Sequence, residues 1–215
     1  MDFIDKKLLA YCEDHSLAES ELLKNLNRET YANVLHPRML SGHLQGKILS
    51  LFSKLICPKN ILEIGTYTGY SAICLAEGLA ENGKLITIDC NAELELMANK
   101  YFEKSGMKNK IQMIIGDAVN IIKTLDVNFD LVFIDADKTN YSRYFDLVID
   151  KMNTGALLIA DNVLWNGKIL NESDLKKDAD TQAINSFNQK IKSDVRVENI
   201  ILPVRDGLMV ARKIN

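Results

Sequence analysis

The sequence predicts an α/β fold in which a doubly wound, mostly parallel seven-stranded sheet carries helices on both faces. From residue 59 onward, short apolar segments rich in Ile, Leu and Val alternate with segments of helical period. The apolar segments lack an alternating polar pattern, which indicates strands buried on both faces, as in parallel sheets. Only the tetrapeptide VRDG joins the last two segments, so we expect an antiparallel last strand that inserts in the sheet.

The length and composition predict a single domain over residues 1–215. The chain is 47% hydrophobic, which suits a sizeable core, and its net charge of −3 disfavours a strongly basic nucleic-acid binder. We expect a helical cap over residues 1–57 and an α/β core over residues 58–215. No apolar run approaches the roughly 18 residues of a membrane span. Because the four cysteines form no C-x-x-C pair, we expect free thiols in a cytoplasmic protein.

Three helices are predicted before the sheet. The first two lie in DFIDKKLLAYCEDHS and AESELLKNLNRET, and Ser16 with Glu19 is expected to form a capping box for the second. The segment HPRMLSG then interrupts the helical pattern with Pro37 and Gly42. The segment GHLQGKILSLFSKLI predicts a third helix, which ends before Pro58.

Strands and helices then alternate along the rest of the chain. The predicted strands are NILEIG, KLITIDC, KIQMIIGD, FDLVFIDAD, GALLIADN, VRVENIILP and GLMVARKI. The predicted helices are YSAICLAEGLAENG, NAELELMANKYFEKSG, AVNIIKTL, YSRYFDLVIDKM and TQAINSFNQKIKSD. We expect Gly83 and Gly106 to end the first two of these helices and Asn91 to cap the second.

Acidic residues lie at the carboxyl ends of five predicted strands. In chain order they are Glu63, Asp89, Asp117, Asp135 and Asp161. One acid at a strand end often caps the next helix, but ligands of open α/β sheets bind beyond the carboxyl ends of the strands. Five acids in this position therefore predict a ligand site at this edge of the sheet.

The segment EIGTYTGYS predicts a loop that approaches a ligand closely, because Gly65 and Gly69 allow a tight turn. Tyr67 and Tyr70 occupy the second and third glycine positions of the dinucleotide fingerprint, which disfavours an NAD-dependent dehydrogenase. The loop also lacks the lysine of a phosphate-binding P-loop. These features indicate a nucleoside-like ligand without a diphosphate, and the Asp89 carboxylate suits a ribose diol.

Oxygen ligands end two of the predicted strands. Asp135 lies in FIDADK, and Asp161 and Asn162 lie in ADN, with neither His nor Cys beside them. This donor set predicts a Mg²⁺ site, with Ca²⁺ or Mn²⁺ as alternatives, although Asp-Asn also begins ordinary turns. Lys138 is either a solvated charge or a general base for a phenol, which is mostly protonated at pH 7.

Four further positions fit either a ligand contact or a structural role. Glu63 suits a cationic ligand or a salt bridge, and Asp117 suits an adenine amino group or a helix cap. Trp165, the only tryptophan, suits an aromatic substrate wall or the core. Arg205, with its neighbour Asp206 in the final hairpin, suits a substrate contact or the turn itself.

Together these motifs resemble the class I S-adenosylmethionine-dependent, cation-dependent O-methyltransferases. That family includes the catechol and caffeoyl-coenzyme A O-methyltransferases and their small bacterial relatives. The resemblance covers essentially the whole chain, and DADK resembles the plant and bacterial branch. The segments that carry it are HPRMLSGHLQGKIL, ILEIGTYTGYSAI, ITID, IIGDA, LVFIDADKTNY, LLIADNVLWNG and PVRDGLMVARK.

The resemblance implies methyl transfer from S-adenosyl-L-methionine to a hydroxyl of a small aromatic vicinal diol held by Mg²⁺. Asp135, Asp161 and Asn162 would bind the cation, Lys138 would be the base, and Trp165 and Arg205 would contact the substrate. The implied cofactor pocket comprises Met39, Ser41, Glu63, Gly65, Tyr67, Ser71, Asp89, Asp117, Ala118 and Asp135.

The resemblance also implies a homodimer. The alternative activity is that of a tRNA 5-hydroxyuridine methyltransferase, since some bacterial relatives are similar to enzymes that modify a wobble uridine. The acidic charge balance of the chain disfavours this alternative.

Overall fold

A mixed seven-stranded sheet organises the chain in a computed structural model that describes residues 4–215. The described residues form strands β1 (Asn60–Ile64), β2 (Lys84–Asp89), β3 (Ile111–Ile115), β4 (Phe129–Ile134), β5 (Met152–Ala160), β6 (Val197–Leu202) and β7 (Leu208–Lys213). Their order in the sheet is β3-β2-β1-β4-β5-β7-β6.

The pairing directions match those predicted. The pairs β1–β2, β2–β3 and β4–β5 are parallel, as expected for strands separated by helical crossovers. The last strand, β7, is antiparallel to both β5 and β6 and lies between them. The predicted insertion of an antiparallel last strand is therefore confirmed.

The chain divides into two compact units. The first, residues 5–117, holds β1 to β3 and helices α1 (Lys6–Asp14), α2 (Glu21–Asn33), α3 (Gly42–Ile56), α4 (Tyr70–Ala76) and α5 (Glu95–Lys104). The second includes residues 118–215 and holds β4 to β7 and helices α6 (Ala118–Thr124), α7 (Tyr141–Val148), α8 (Glu172–Lys177) and α9 (Ala179–Ser193). The predicted single domain with a helical cap over residues 1–57 stays a prediction.

The predicted cap of the second helix is wrong. Ser20, not Ser16, precedes α2, and its hydroxyl accepts a hydrogen bond from the Leu23 amide nitrogen at 3.3 Å. The Ser16 hydroxyl instead donates to the Cys12 carbonyl at 2.6 Å, just beyond the end of α1. Only Ser16 has a glutamate three residues on, Glu19, so the local pattern favoured the wrong serine.

The predicted end of α4 at Gly83 is also wrong, because the helix ends at Ala76. Gly78 lies so close to α3 that an added Cβ would overlap the Ser53 carbonyl carbon and the Lys54 nitrogen. The Ser53 hydroxyl also donates to the Leu75 carbonyl at 2.6 Å, which fixes the two helices against each other. Close packing therefore ends α4 earlier than the sequence pattern suggested.

One further helix was not predicted. Asn171 caps the short helix α8, which lies between β5 and α9. Asn91 caps a 3₁₀ turn that leads into α5, and Gly106 ends that helix with a φ of 71°, both as expected.

The described residues hold no helix that is long and apolar enough to cross a membrane. All four cysteines are free, as predicted, and only Cys74 is buried.

Gly78→Ala is expected to lower the free energy of unfolding by more than about 2 kcal/mol, since an extra methyl group would force α3 and α4 apart. Gly106→Ala is the matched control. Gly106 has a positive φ but no atom within 4 Å of an added Cβ, so backbone strain of about 1 kcal/mol is expected there. Urea denaturation measures both, and an equal or smaller loss for Gly78→Ala would contradict this packing.

Candidate functional site

In the first unit, the predicted glycine loop is held by the Asp89 carboxylate. One oxygen of Asp89 accepts from the Tyr67 amide nitrogen at 2.7 Å, and the other accepts from the Asn91 amide nitrogen at 2.8 Å. Gly65 and Tyr67 have φ values of 100° and 50°, which turn the loop sharply after β1. Each carboxylate oxygen keeps a further lone pair, so Asp89 can hold the loop and accept from a ligand hydroxyl.

Glu63 is fully buried at the end of β1. Its Oε2 accepts a hydrogen bond from the Thr87 hydroxyl at 2.6 Å, and the Thr66 and Thr87 hydroxyl oxygens are 2.5 Å apart. Because Thr87 gives its only hydroxyl hydrogen to the carboxylate, Thr66 must donate to Thr87. The structure thus places a carboxylate inside the first unit and stabilises it with a chain of hydroxyl groups.

Other residues predicted to line a cofactor pocket lie in different environments. Ser41 and Ser71 are buried, whereas Met39 is 61% exposed. The half-buried Tyr67 side chain donates towards the carbonyl oxygens of residues 35 and 36, at 3.2 and 3.3 Å. Asp117 is exposed at the end of the first unit, and Ala118 begins α6 of the second.

In the second unit, Asp135 and Asp161 follow directly paired residues of two parallel strands. Ile134 of β4 is in register with Ala160 of β5, and the Asp161 amide nitrogen donates to the Ile134 carbonyl at 3.0 Å. Asp161 is only 3% exposed, and its Oδ1 accepts from the Asn162 amide nitrogen at 2.7 Å. Neighbouring strands are about 4.8 Å apart, so this register brings the two acids close together.

The Lys138 ammonium group lies between an acid and a phenol. Its Nζ donates to Asp135 Oδ1 at 3.0 Å and to the Tyr141 hydroxyl at 2.7 Å, and the side chain is 10% exposed. The Tyr141 hydroxyl in turn donates to the Asp161 carbonyl at 3.1 Å. Burial, with the nearby charges of Asp135 and Asp161, raises the pKa of Tyr141 well above its ordinary value, so it stays a neutral phenol.

The loop after β5 has an unusual backbone conformation. Asn162, Trp165 and Asn166 have φ values of 60°, 46° and 53°, in the left-handed region that non-glycine residues rarely adopt. Such conformations persist only where the surrounding contacts enforce them, and they cluster at functional sites. The Trp165 ring centre lies 5.9 Å from Lys138 Nζ, and its buried indole nitrogen has no hydrogen-bond partner in the described part of the chain.

The β6–β7 hairpin contacts this loop. The carbonyl of Asp206 accepts from the Leu164 amide nitrogen at 2.9 Å, and its Oδ1 accepts from the Asn166 amide nitrogen at 2.6 Å. Burial raises the pKa of Asp206, while the hydrogen bond from the Asn166 amide nitrogen and the charge of Lys138 partly offset that rise.

Asp137, which lies beside Asp135 in the sequence, has a structural role. Its Oδ2 accepts from the Asn140 side-chain nitrogen at 2.5 Å and from the Thr139 hydroxyl at 3.3 Å, and its Oδ1 accepts from the Tyr144 hydroxyl. The carboxylate therefore stabilises the 3₁₀ turn that leads into α7.

Sequence analysis missed Thr87 and Tyr141. Thr87 lies two residues before Asp89, on the same face of β2, and that spacing is a usable signal. Tyr141 follows Lys138 by three residues, one helical turn away. Asp206 was expected, with Arg205, to contact the substrate or to shape the turn, and its hydrogen bond from the Asn166 amide nitrogen has no signal in the local sequence.

The oxygen atoms of Asp135, Asp161 and Asn162 fit a hard divalent cation. Two carboxylates and an amide follow neighbouring strands, and this donor set matches Mg²⁺ better than zinc. Within residues 4–215, no three His, Cys, Asp or Glu side chains form a potential metal-binding group. That finding concerns His, Cys, Asp and Glu side chains only, so it does not test a site in which the Asn162 amide is one of the ligands.

Comparisons with known proteins agree closely with one another. Residues 13–214 match the model of a family described as O-methyltransferase. The chain is 34% identical to a catechol O-methyltransferase of Niastella koreensis, over 98% of this chain and 95% of that protein. It is 32% identical to a caffeoyl-CoA O-methyltransferase of Stellaria longipes, over 91% and 85% of the two chains. The structure of the O-methyltransferase TomG from Streptomyces achromogenes in complex with SAM superposes with a TM-score of 0.87, at 27% identity, covering 97% and 96% of the two chains.

Thr87→Val is expected to lower the free energy of unfolding by about 2 kcal/mol, because the buried Glu63 carboxylate loses a charge-assisted hydrogen bond. Thr30→Val is the control, since Thr30 is equally buried but donates to the neutral Thr68 hydroxyl at 3.1 Å. That change should cost about 1 kcal/mol. Urea denaturation compares the two, and an equal cost would argue against a charged Glu63.

Proposed function

We propose that this chain, which belongs to the O-methyltransferase family and is a SAM-dependent O-methyltransferase, uses a divalent cation to methylate a catechol-type aromatic hydroxyl. The observation that carries the proposal is the position of Asp135 and Asp161. They follow paired residues of β4 and β5. The Lys138 amine donates a hydrogen bond to Asp135, and Asn162 directly follows Asp161 in the sequence. The names of the catechol and caffeoyl-CoA relatives support the acceptor class.

S-adenosylmethionine would be bound chiefly by residues of the first unit. The Asp89 carboxylate would accept both ribose hydroxyls, and the turn at Gly65 would let the backbone approach the nucleoside. The sulfonium carries a positive charge, which the Glu63 carboxylate would favour even from a buried position. The remaining cofactor contacts in the proposal are Met39, Ser41, Tyr67, Ser71, Asp117, Ala118 and Asp135.

Asp135, Asp161 and Asn162 would hold Mg²⁺, with Ca²⁺ or Mn²⁺ as alternatives. A bound cation would orient the two oxygens of a vicinal diol and make one of them more acidic. As the neutral amine, Lys138 would take the proton from that hydroxyl. The hydroxyl oxygen would then bond to the methyl carbon as the carbon–sulfur bond breaks and S-adenosylhomocysteine leaves. Trp165 would contact one face of the aromatic ring, and Arg205 would contact the substrate from the final hairpin.

The side chains around Lys138 favour this geometry. Asp135 and Tyr141 each accept one N–H of the amine, so its remaining direction is available to a substrate hydroxyl. Holding two reactants in line avoids much of the entropy cost of a bimolecular reaction. Lys138 would take the proton of the substrate hydroxyl, and Asp135 would hold both Lys138 and the cation.

The sequence also predicted an assembly and an alternative substrate. The homodimer is the assembly that the resemblance implies. Methylation of a hydroxylated tRNA uridine stays the alternative activity, but neither relative named above is described as an RNA enzyme.

The direct test is methyl transfer from SAM to caffeic acid or catechol. We expect turnover with Mg²⁺, its loss on addition of EDTA and its return with excess Mg²⁺. Turnover that EDTA leaves unchanged would contradict the cation. Absence of turnover with SAM binding intact would contradict the catechol acceptor, and labelled SAM with bulk RNA would then test the tRNA alternative.

Lys138→Ala is expected to lower kcat by about 100-fold or more through loss of a general base, while the SAM dissociation constant stays within about twofold. Lys190→Ala, which removes a surface lysine paired with Asp146, is the control and should leave kcat unchanged. A kcat for Lys138→Ala equal to that of wild type would remove Lys138 from the mechanism.

Asp89→Ala is expected to weaken SAM binding by about tenfold or more, because charge-assisted hydrogen bonds to the ribose are lost. Calorimetric titration with SAM measures the change, and thermal denaturation checks that the loop remains folded. Glu21→Ala, which removes an exposed carboxylate paired with Lys24, is the control. An unaltered dissociation constant for Asp89→Ala would exclude the ribose contact.

A further inference from the structure

The Tyr141 hydroxyl connects the Lys138 amine to the backbone at the ends of β4 and β5. Its oxygen accepts a hydrogen bond from Lys138 Nζ at 2.7 Å, and the hydroxyl donates to the Asp161 carbonyl at 3.1 Å. The Ile134 carbonyl is a second, longer acceptor at 3.4 Å. One phenol group therefore hydrogen-bonds to the amine on one side and to main-chain atoms on the other.

The Tyr141 side chain is held firmly in this position. It is fully buried, and its ring packs edge-on against Phe187 of α9, with the ring centres 5.4 Å apart. The backbone that accepts from the hydroxyl is itself paired, because the Asp161 amide nitrogen donates to the Ile134 carbonyl at 3.0 Å. The hydroxyl is thus fixed by packing and by the sheet, whereas a lysine amine lies at the end of a long flexible stem.

The geometry of an amine makes this contact significant. The nitrogen of Lys138 is tetrahedral, and one of its directions is the bond to Cε. Asp135 Oδ1, at 3.0 Å, and the Tyr141 hydroxyl occupy two more as hydrogen-bond acceptors. The last direction is then fixed in space. Without Tyr141, the amine would be free to turn about its remaining hydrogen bond to Asp135.

A hydroxyl group is suited to this position, because it can accept from the amine while it donates to a carbonyl. The two acceptors of the amine differ in their proposed roles. Asp135 would also be a ligand of the cation, whereas Tyr141 has no other proposed role in the reaction. Tyr141 is therefore the acceptor that serves the amine alone.

We infer that Tyr141 is a positioning residue that directs the Lys138 amine towards the substrate hydroxyl. This inference rests on the proposed function, because it presupposes Lys138 as the base. With its N–H groups bonded to Asp135 and Tyr141, the neutral amine would present its lone pair in the remaining direction, where it takes the hydroxyl proton. Tyr141 would act through Lys138 without touching substrate, cofactor or cation.

The test compares Tyr141→Phe with wild type in methyl transfer from SAM to catechol with Mg²⁺. Phenylalanine keeps the ring that packs against Phe187 and removes only the hydroxyl. We expect kcat to fall about tenfold through misplacement of the base, while the KM for catechol and the calorimetric SAM dissociation constant stay within about twofold of wild type. Tyr101→Phe is the matched control and should leave kcat unchanged. It also removes the hydroxyl of a buried tyrosine, which donates to Glu29 at 2.7 Å in the first unit.

A double-mutant cycle distinguishes positioning of the amine from general loosening of the second unit. If Tyr141 acts through Lys138, Tyr141→Phe should not lower kcat further in a Lys138→Ala background. Titration with Mn²⁺, followed by electron paramagnetic resonance of the free ion, gives a readout that is independent of turnover. The Mn²⁺ dissociation constant of Tyr141→Phe should stay within about twofold of wild type, because the variant keeps every proposed cation ligand.

The outcomes separate the inference from the proposed function. If Lys138→Ala lowers kcat but Tyr141→Phe does not, the inference is overturned and the proposed function stands. The same loss of kcat in both backgrounds, or clearly weaker Mn²⁺ binding by Tyr141→Phe, would also overturn it, since the effect would then lie in folding or at Asp161. Absence of turnover by wild type, or an unchanged kcat for Lys138→Ala, would overturn both. A tenfold loss that vanishes in the Lys138→Ala background would support the positioning role.

Discussion

The parallel pairing of β4 with β5 is the constraint on which the second unit depends. Because Ile134 is in register with Ala160, the next residue on each strand, Asp135 and Asp161, emerges at the same edge. A slip of one residue would turn every side chain of a strand to the opposite face. The residues just before Asp135 and Asp161 are buried in both strands, and such a slip would disrupt their packing, so the core itself keeps the two carboxylates together.

In both units, local hydrogen bonds stabilise buried charged side chains. In the first unit, Thr87 donates to the fully buried Glu63. In the second, Tyr141 accepts from Lys138 while donating to the Asp161 carbonyl. A buried charge without such partners would cost several kcal/mol, roughly, so these neutral hydroxyl groups allow charged residues to sit at the ends of buried strands.

Much of the fold could be predicted from the sequence, because the apolar strands and the short VRDG turn are local signals with few alternatives. The insertion of β7 followed from them, and the bounds of α3 followed from Gly42 and Pro58. The end of α4 could not be predicted, since it depends on the contact of Gly78 with α3. Strand ends likewise indicated Asp135, Asp161 and Asn162, whereas the hydrogen bond from the Asn166 amide nitrogen to Asp206 forms only after β7 inserts and brings its hairpin to the loop.

The central claim is that Asp135, Asp161 and Asn162 together bind a divalent cation. Anomalous diffraction from crystals grown with Mn²⁺ and S-adenosylhomocysteine tests it most directly. The account predicts one anomalous peak with a side-chain oxygen of each of the three residues within about 2.0–2.4 Å. A peak coordinated by other residues, or none beside these three at saturating Mn²⁺, would contradict it.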